Sequence, residues 1–179
     1  MLLPTPSAGF EDPLGLLADC HRRMEIFCGR LELMPAHLDT HGSDETARRA
    51  AAGIVAYFEH AAPLHHADEE TDLLPMMCRR ACAPKARAAV AAWSVRIDED
   101  HRAQSAAWHG VRAALQALSR GDGVQAPDAG MFVDMTRAHY RFEDETVLPL
   151  ARTLLTAQDL TALGRAMARR REHDSRDGP

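Results

Sequence analysis

One segment of this 179-residue chain is present twice. His65-His66-Ala67-Asp68-Glu69-Glu70-Thr71-Asp72-Leu73-Leu74-Pro75 returns as His139-Tyr140-Arg141-Phe142-Glu143-Asp144-Glu145-Thr146-Val147-Leu148-Pro149. In each copy a His stands four residues before a Glu, and that Glu stands five before a Leu-Pro. Residues four apart share one face of an α-helix, about 6 Å apart along its axis. A chain carrying this face twice reads as two related helical halves, each delivering one nitrogen and one oxygen to a common interior.

Hydrophobic spacing fills in those halves. Leu14, Leu17, His21, Met24, Cys28 and Leu31 recur in alternating steps of three and four, the buried seam of a bundle helix. Pro35 to Gly42 is expected to close that helix, and Ser43 or Asp44 to cap the next. The second helix turns Ala47, Ala51, Ile54, Phe58, Ala61 or Ala62, His65 and Glu69 inward. Pro63 should kink it, because proline removes a backbone bond. Pro84 suits the first turn of a third helix, whose seam runs through Val90, Ser94, Ile97, His101, Gln104, Trp108, Val111, Leu115 and Leu118. After a loop from Ser119 to Ala126, a fourth helix is expected from Pro127, with Phe132, Met135, His139, Phe142, Glu143, Thr146 and Leu150 inward. Thr156 and Asp159 look like the cap of a short fifth helix ending near Arg171.

Short connections make successive helices antiparallel. The expected fold is therefore all-α, an up-down-up-down four-helix bundle with a short C-terminal fifth helix. Residues 1–12 read as a flexible arm, 13–172 as the domain, and 173–179 as a disordered tail. Few aromatics and no alternating β-branched runs agree with an all-helical chain.

A net charge of −5 argues against nucleic acid as partner. The run Arg165, Arg169, Arg170, Arg171 reads as a solvated helix end, where cations are favourable. No apolar segment approaches the ~20 residues that span a bilayer, and the N-terminus lacks the pattern of a signal peptide. A cytoplasmic protein without a membrane partner is expected. Cys20, Cys28, Cys78 and Cys82 lack zinc-knuckle spacing and read as free thiols.

A single His on a helical seam is ordinarily a satisfied core residue. Here each of the four main helices carries one: His21, His65, His101 and His139. Two of those helices add a carboxylate one turn further on, Glu69 and Glu143. Burying an unpaired carboxylate costs several kcal/mol, and no Lys or Arg lies on a seam to neutralise it. Such a layer needs a cation. Imidazole and carboxylate without thiolate suit iron, manganese or zinc. Four His and two Glu exceed the needs of one tetrahedral zinc, but match two metals about 3.5 Å apart with bridging carboxylates. The Glu-x-x-His order of ferritin-like bundles is reversed here, so carboxylate-oxidase chemistry is not expected.

His21, His65-x-x-x-Glu69, His101 and His139-x-x-x-Glu143, together with Ala62-Pro63-Leu64-His65-His66-Ala67-Asp68-Glu69-Glu70, resemble the hemerythrin-like, or HHE cation-binding, domain over about residues 14–155. The resemblance implies a non-haem di-iron site with an oxo or hydroxo bridge, spanned by Glu69 and Glu143; zinc or manganese are substitutes. One iron would draw on His21 and His65, the other on His101 and His139. Oxygen-carrying members place a second His one turn after that of the third helix, where this chain has Ser105. His66 is a candidate for the fifth imidazole, against a solvent-facing role, since helix neighbours diverge by about 100°. Its repeat partner Tyr140 is a candidate to ligate or hydrogen-bond the first iron, or simply to pack. Glu70 and Asp68 are placed on the helix shoulder, supporting a ligand or solvated, while Asp19 and Asp100 are expected on exposed faces, with a hydrogen bond to a ligand imidazole as the alternative.

Two functional classes follow. One is a binding protein for O2, NO or iron, serving sensing, storage or delivery. The other is a di-iron enzyme acting on peroxide or nitric oxide with an external reductant, since no nucleotide-cofactor fingerprint is present. A purely structural metal is the weakest reading. Leu160, Leu163 and Met167 form an apolar strip on the fifth helix that either covers the bundle's end or meets a second chain as a homodimer.

Overall fold

A computed structural model describes residues 8–122 and 125–177. Its helices are α1 (Pro13–His41), α2 (45–80), α3 (Pro84–Arg120), α4 (130–154) and α5 (Ala157–Asp177), with no strand among the described residues. Each of α1 to α4 packs on the next, and α4 returns to α1, closing a ring; α5 lies against α1 and the latter half of α2.

Local chemistry sets most of the helix ends. Asp12 caps α1 by accepting from the Gly15 N–H (3.0 Å), with Pro13 at the first helical position. Asp44 caps α2 through the Ala47 N–H (2.8 Å). Thr156 and Asp159 cap α5 reciprocally, by Thr156 N–H to Asp159 Oδ2 (2.9 Å) and Asp159 N–H to Thr156 Oγ1 (3.2 Å). Pro35 does not close α1 but sits inside it; the helix ends at His41, where Gly42 takes a φ of 67°. The α4 helix opens at Gly130, not Pro127. Neither Ala126 nor Ala129 offers a capping oxygen, so core packing of Ala129, Phe132 and Val133 fixes that start instead.

Three prolines leave a common mark. The Ala62 N–H bonds to Tyr57 O, Leu74 to Glu69 O, and Leu148 to Glu143 O, each five residues back, and each donor precedes a proline. A proline ring cannot donate and crowds the carbonyl four residues back. Widening one turn to a π register relieves the crowding and keeps the ladder continuous. The kink expected at Pro63 is absorbed in this way. The Leu-Pro five residues after each Glu is thus the sequence signature of a π turn whose widened bond is accepted by that Glu's carbonyl.

The described residues near both ends of the chain lie against the bundle or continue its helices. The flexible arm assigned to residues 1–12 lies partly outside the described residues, but 8–12 are docked. The Ala8 N–H donates to Asp19 Oδ2 (2.9 Å), and Phe10 O crosses α5 so closely that a Cβ on Gly164 would come within 1.9 Å of it. The tail assigned to 173–179 continues α5 to residue 177; 178–179 lie outside the described residues. Leu163 and Met167 are fully buried against Leu14, Leu17 and Leu73, so the apolar strip covers this bundle's own end. No helix of the described residues is long and apolar enough to cross a membrane.

Two apolar clusters fill the interior. One holds Met24, Phe27, Ile54, Phe58, Trp108 and Leu115; the other holds Leu17, Leu73, Met77, Ile97, Leu148 and Leu163. In every helix of the ring the His falls between them. A polar layer is thus sealed between two hydrophobic ones.

Candidate metal centre

The six residues singled out from the repeat and its partner helices converge in that layer, none more than 4% exposed. His21 Nε2 lies 3.1 Å from His65 Nε2, and His101 Nε2 lies 3.0 Å from His139 Nε2. Glu69 approaches His65 Nε2 at 3.1 Å and His101 Nε2 at 3.5 Å. Glu143 approaches His21 Nε2 at 3.1 Å and His139 Nε2 at 3.3 Å. Each carboxylate therefore touches both imidazole pairs. Two four-residue groups result, His21-His65-Glu69-Glu143 and Glu69-His101-His139-Glu143, with ligand atoms within 4.8 Å of one another.

The outer nitrogens show which way these rings face. His21 Nδ1–H donates to Asp144 Oδ1 (2.8 Å), and His101 Nδ1–H donates to Glu70 Oε1 (2.5 Å). An ionised carboxylate only accepts, so Nδ1 carries the proton and Nε2 can turn a lone pair to the centre. Glu70 and Asp144 occupy equivalent places in the repeat, each directly after the inward Glu. Each reaches across to the His of the opposite half. Glu70 was expected to support a ligand or be solvated; it pairs with the His101 ring while remaining partly exposed. Asp144 was missed, although the repeat pointed to it. Replacing Asp144 or Glu70 by Ala should weaken metal binding by roughly 10- to 100-fold with little change in fold, as loss of ring-orienting partners generally does. Competitive chelator titration with circular dichroism checks this, and unchanged affinity would remove the orienting role.

Electrostatics in the absence of a cation describe the same need. Burial and the Glu69 charge push Glu143 up to about 8, so the two carboxylates do not ionise together. Burial lowers His65 to about 3 and His139 to about 4, keeping both neutral. Burial also opposes the charged form of His21, but Asp144, Glu143 and Glu69 outweigh it and raise its pKa well above the ordinary value. A proton there stands where two Nε2 lone pairs would otherwise meet. None of the four oxygens of Glu69 and Glu143 has a hydrogen-bond partner among the described residues. Apart from the inward imidazole nitrogens these buried oxygens meet no donor among the described residues, and such a set fits a cation.

The other candidates divide. His66 stacks on His101 at 3.7 Å, and with His101 and His139 it forms a third group of clustered ligand atoms; its Nε2 has no hydrogen-bond partner among the described residues. Tyr140 stacks 5.9 Å from His21, while its hydroxyl donates to the half-exposed Glu25. Asp68 is not on a solvated shoulder: it is fully buried and paired with Arg170 and Arg171. Those two arginines are therefore not a solvated helix end. Asp19, expected to be exposed, is buried where it accepts the Ala8 N–H.

The sequence matches the model of the hemerythrin HHE cation-binding domain over residues 12–151. The chain belongs to the hemerythrin HHE family. An uncharacterized protein of Haemophilus influenzae (strain ATCC 51907 / DSM 11121 / KW20 / Rd) is 27% identical over 174 residues, covering 96% of this chain and 97% of that protein. In this hemerythrin-like chain, α5 with Arg170 and Arg171 lies beyond the matched residues.

A pH dependence follows for the hemerythrin-like domain freed of metal. Glu143, His21 and His101 all have raised pKa values in the fold. The stability each contributes is present below its unfolded pKa and lost as pH rises through the folded one. The lowered His65 and His139 contribute with the opposite sign, but only below about 6.5. Between pH 6.5 and about 8 the metal-free protein should therefore lose on the order of 1 kcal/mol per pH unit. Metal affinity should rise over the same interval as protons are displaced. Urea unfolding across that range, with and without chelator, is the measurement; a flat metal-free profile contradicts the assignment.

Proposed function

We propose that this protein binds two non-haem iron ions within an up-down-up-down bundle and uses them to bind a small ligand, O2 or NO, reversibly. The carrying observation is the set of four unpartnered carboxylate oxygens between two pairs of inward Nε2 atoms. His21 and His65 hold one ion, His101 and His139 the other, and Glu69 and Glu143 are shared. His66, clustered with the second pair, is the added ligand of that ion, which makes the two ions inequivalent. Two irons supply a redox-active pair that accepts an exogenous ligand. The chain's own residues hold the imidazoles in one tautomer through Asp144 and Glu70 and exclude bulk water with the flanking apolar clusters.

Anaerobic iron titration followed by O2 or NO, monitored by optical and Mössbauer spectroscopy, tests the reading. Two irons per chain and a reversible adduct support it. One tightly held zinc, or no divalent ion at all, overturns it. Multiple turnovers of peroxide or nitric oxide with a reductant would instead make the protein an enzyme.

A further inference from the structure

A cleft of about 90 Å³ opens beside the paired imidazoles, between α2 and α3. Pro63 and Ser105 stand exposed at its mouth, Phe58, Trp108 and Phe132 form its walls, and His66 lies within it. The three aromatic rings pack on one another with centroids 4.9 to 5.3 Å apart, so the walls are stiff and apolar. Gln104, one turn beyond His101 on α3, also lines the cleft, yet it is only 4% exposed. Its Oε1 accepts from Thr136 Oγ1 (3.4 Å), while its Nε2 has no hydrogen-bond partner among the described residues. An amide donor buried among aromatic rings carries a desolvation penalty unless something in the cleft accepts from it.

We infer that Gln104 is the hydrogen-bond donor to a small ligand bound in this cleft, and that the cleft restricts the ligand to a hydrogen-bond acceptor of two to four heavy atoms. The volume sets the size limit: a cavity of about 150 Å³ holds benzene, and one water occupies about 30 Å³. Chemistry sets the second limit, because the cleft offers the Gln104 amide as a donor within walls that are apolar apart from His66 and Ser105. The inference rests on the iron-binding reading above and adds the class of molecule that reaches the centre and the residue that selects it. Gln104 acts as a positioning residue through its amide and does not hold metal.

Azide, a three-atom acceptor, is the probe. Iron-loaded wild-type protein, Gln104→Leu and Ser105→Trp would be compared by stopped-flow absorption and by the infrared azide stretch, with iron content measured in each. Loss of one hydrogen bond should speed azide dissociation from Gln104→Leu about tenfold and shift its stretch, at unchanged iron stoichiometry. Ser105→Trp, at the exposed mouth, should slow association while leaving the stretch unshifted. Equal dissociation rates and stretches in wild type and Gln104→Leu overturn the donor role. Unaltered association in Ser105→Trp overturns the cleft as the route. If the wild type takes up two irons but no azide, the cleft inference fails and the metal centre stands. If no iron is taken up, the reading beneath it fails as well. Should Gln104→Leu fold poorly, Thr136→Val, which leaves the amide in place, must retain slow dissociation for the inference to survive.

Discussion

Glu143→Gln is expected to make the metal-free protein more stable while abolishing paired metal binding. The side chain is 1% exposed, and its carboxyl is pushed up to about 8 by burial and by Glu69. At neutral pH an acid in that position is held in the fold at a cost, and its oxygens lack partners. The amide keeps the volume and is neutral without having to hold a proton, which should gain about 1–2 kcal/mol without metal. For a domain of this size that corresponds to roughly 2–8 °C in melting temperature. With iron the order reverses. On the two-ion reading proposed above, a carboxylate shared by both imidazole pairs cannot be replaced by a neutral amide without losing its charge on both ions, so stoichiometry should fall from two to at most one. Affinity for the remaining ion should drop by more than about 100-fold, beyond the loss typical of residues that merely orient ligands. Calorimetry of the chelated protein and iron analysis of the reconstituted one give the two signs separately. A variant that loses stability without metal and keeps two irons would contradict the shared-ligand assignment.

The second large effect lies at α5. Asp68 is fully buried next to Glu69 and is satisfied by Arg170 and by Arg171 Nη2 (2.7 Å), while Arg170 also reaches Asp72 (2.6 Å). Burial raises the Asp68 pKa, and the two guanidinium groups work against that rise. Removing both cations leaves a buried charge with no compensation, which typically costs about 3–5 kcal/mol. Arg170→Ala with Arg171→Ala should therefore lower the melting point by roughly 6–20 °C and expose the amides of α5 to hydrogen exchange. Adding Asp68→Leu should restore most of the loss, because a buried ion pair replaced by apolar volume is often neutral or stabilising. A double variant within 1 kcal/mol of wild type would show that the apolar face of α5, with Leu163 and Met167, holds it without the ion pairs, and a loss not rescued by Asp68→Leu would contradict Asp68 as the group the arginines compensate.

Asp68 also shows where the sequence was readable and where it was misread. Its repeat partner is Phe142, an apolar residue packed against the second core cluster. That correspondence marks the position as inward, and a carboxylate there calls for a cation. The arginines that meet the demand lie about a hundred residues away, and no local pattern links them. Asp144 was legible by the same correspondence with Glu70, yet which ring each would orient depends on the two halves crossing over. The Leu-Pro doublets carried two of the π turns in plain view, because proline's missing N–H is a local fact; that the Glu five residues back accepts the widened bond is also local.

The seams, the repeat and the caps are short-range properties of a helix, governed by 3.6-residue periodicity and by side chains three or four positions away. From these alone the chain is fixed as helical, with four inward His and two inward Glu. The pairing of His21 with His65 and of His101 with His139, the sharing of both carboxylates, the docking of α5 over Asp68 and the cleft beside Gln104 all join residues tens of positions apart. Those contacts depend on how whole helices pack, since burial and desolvation act on surfaces brought together in space rather than on neighbours along the chain.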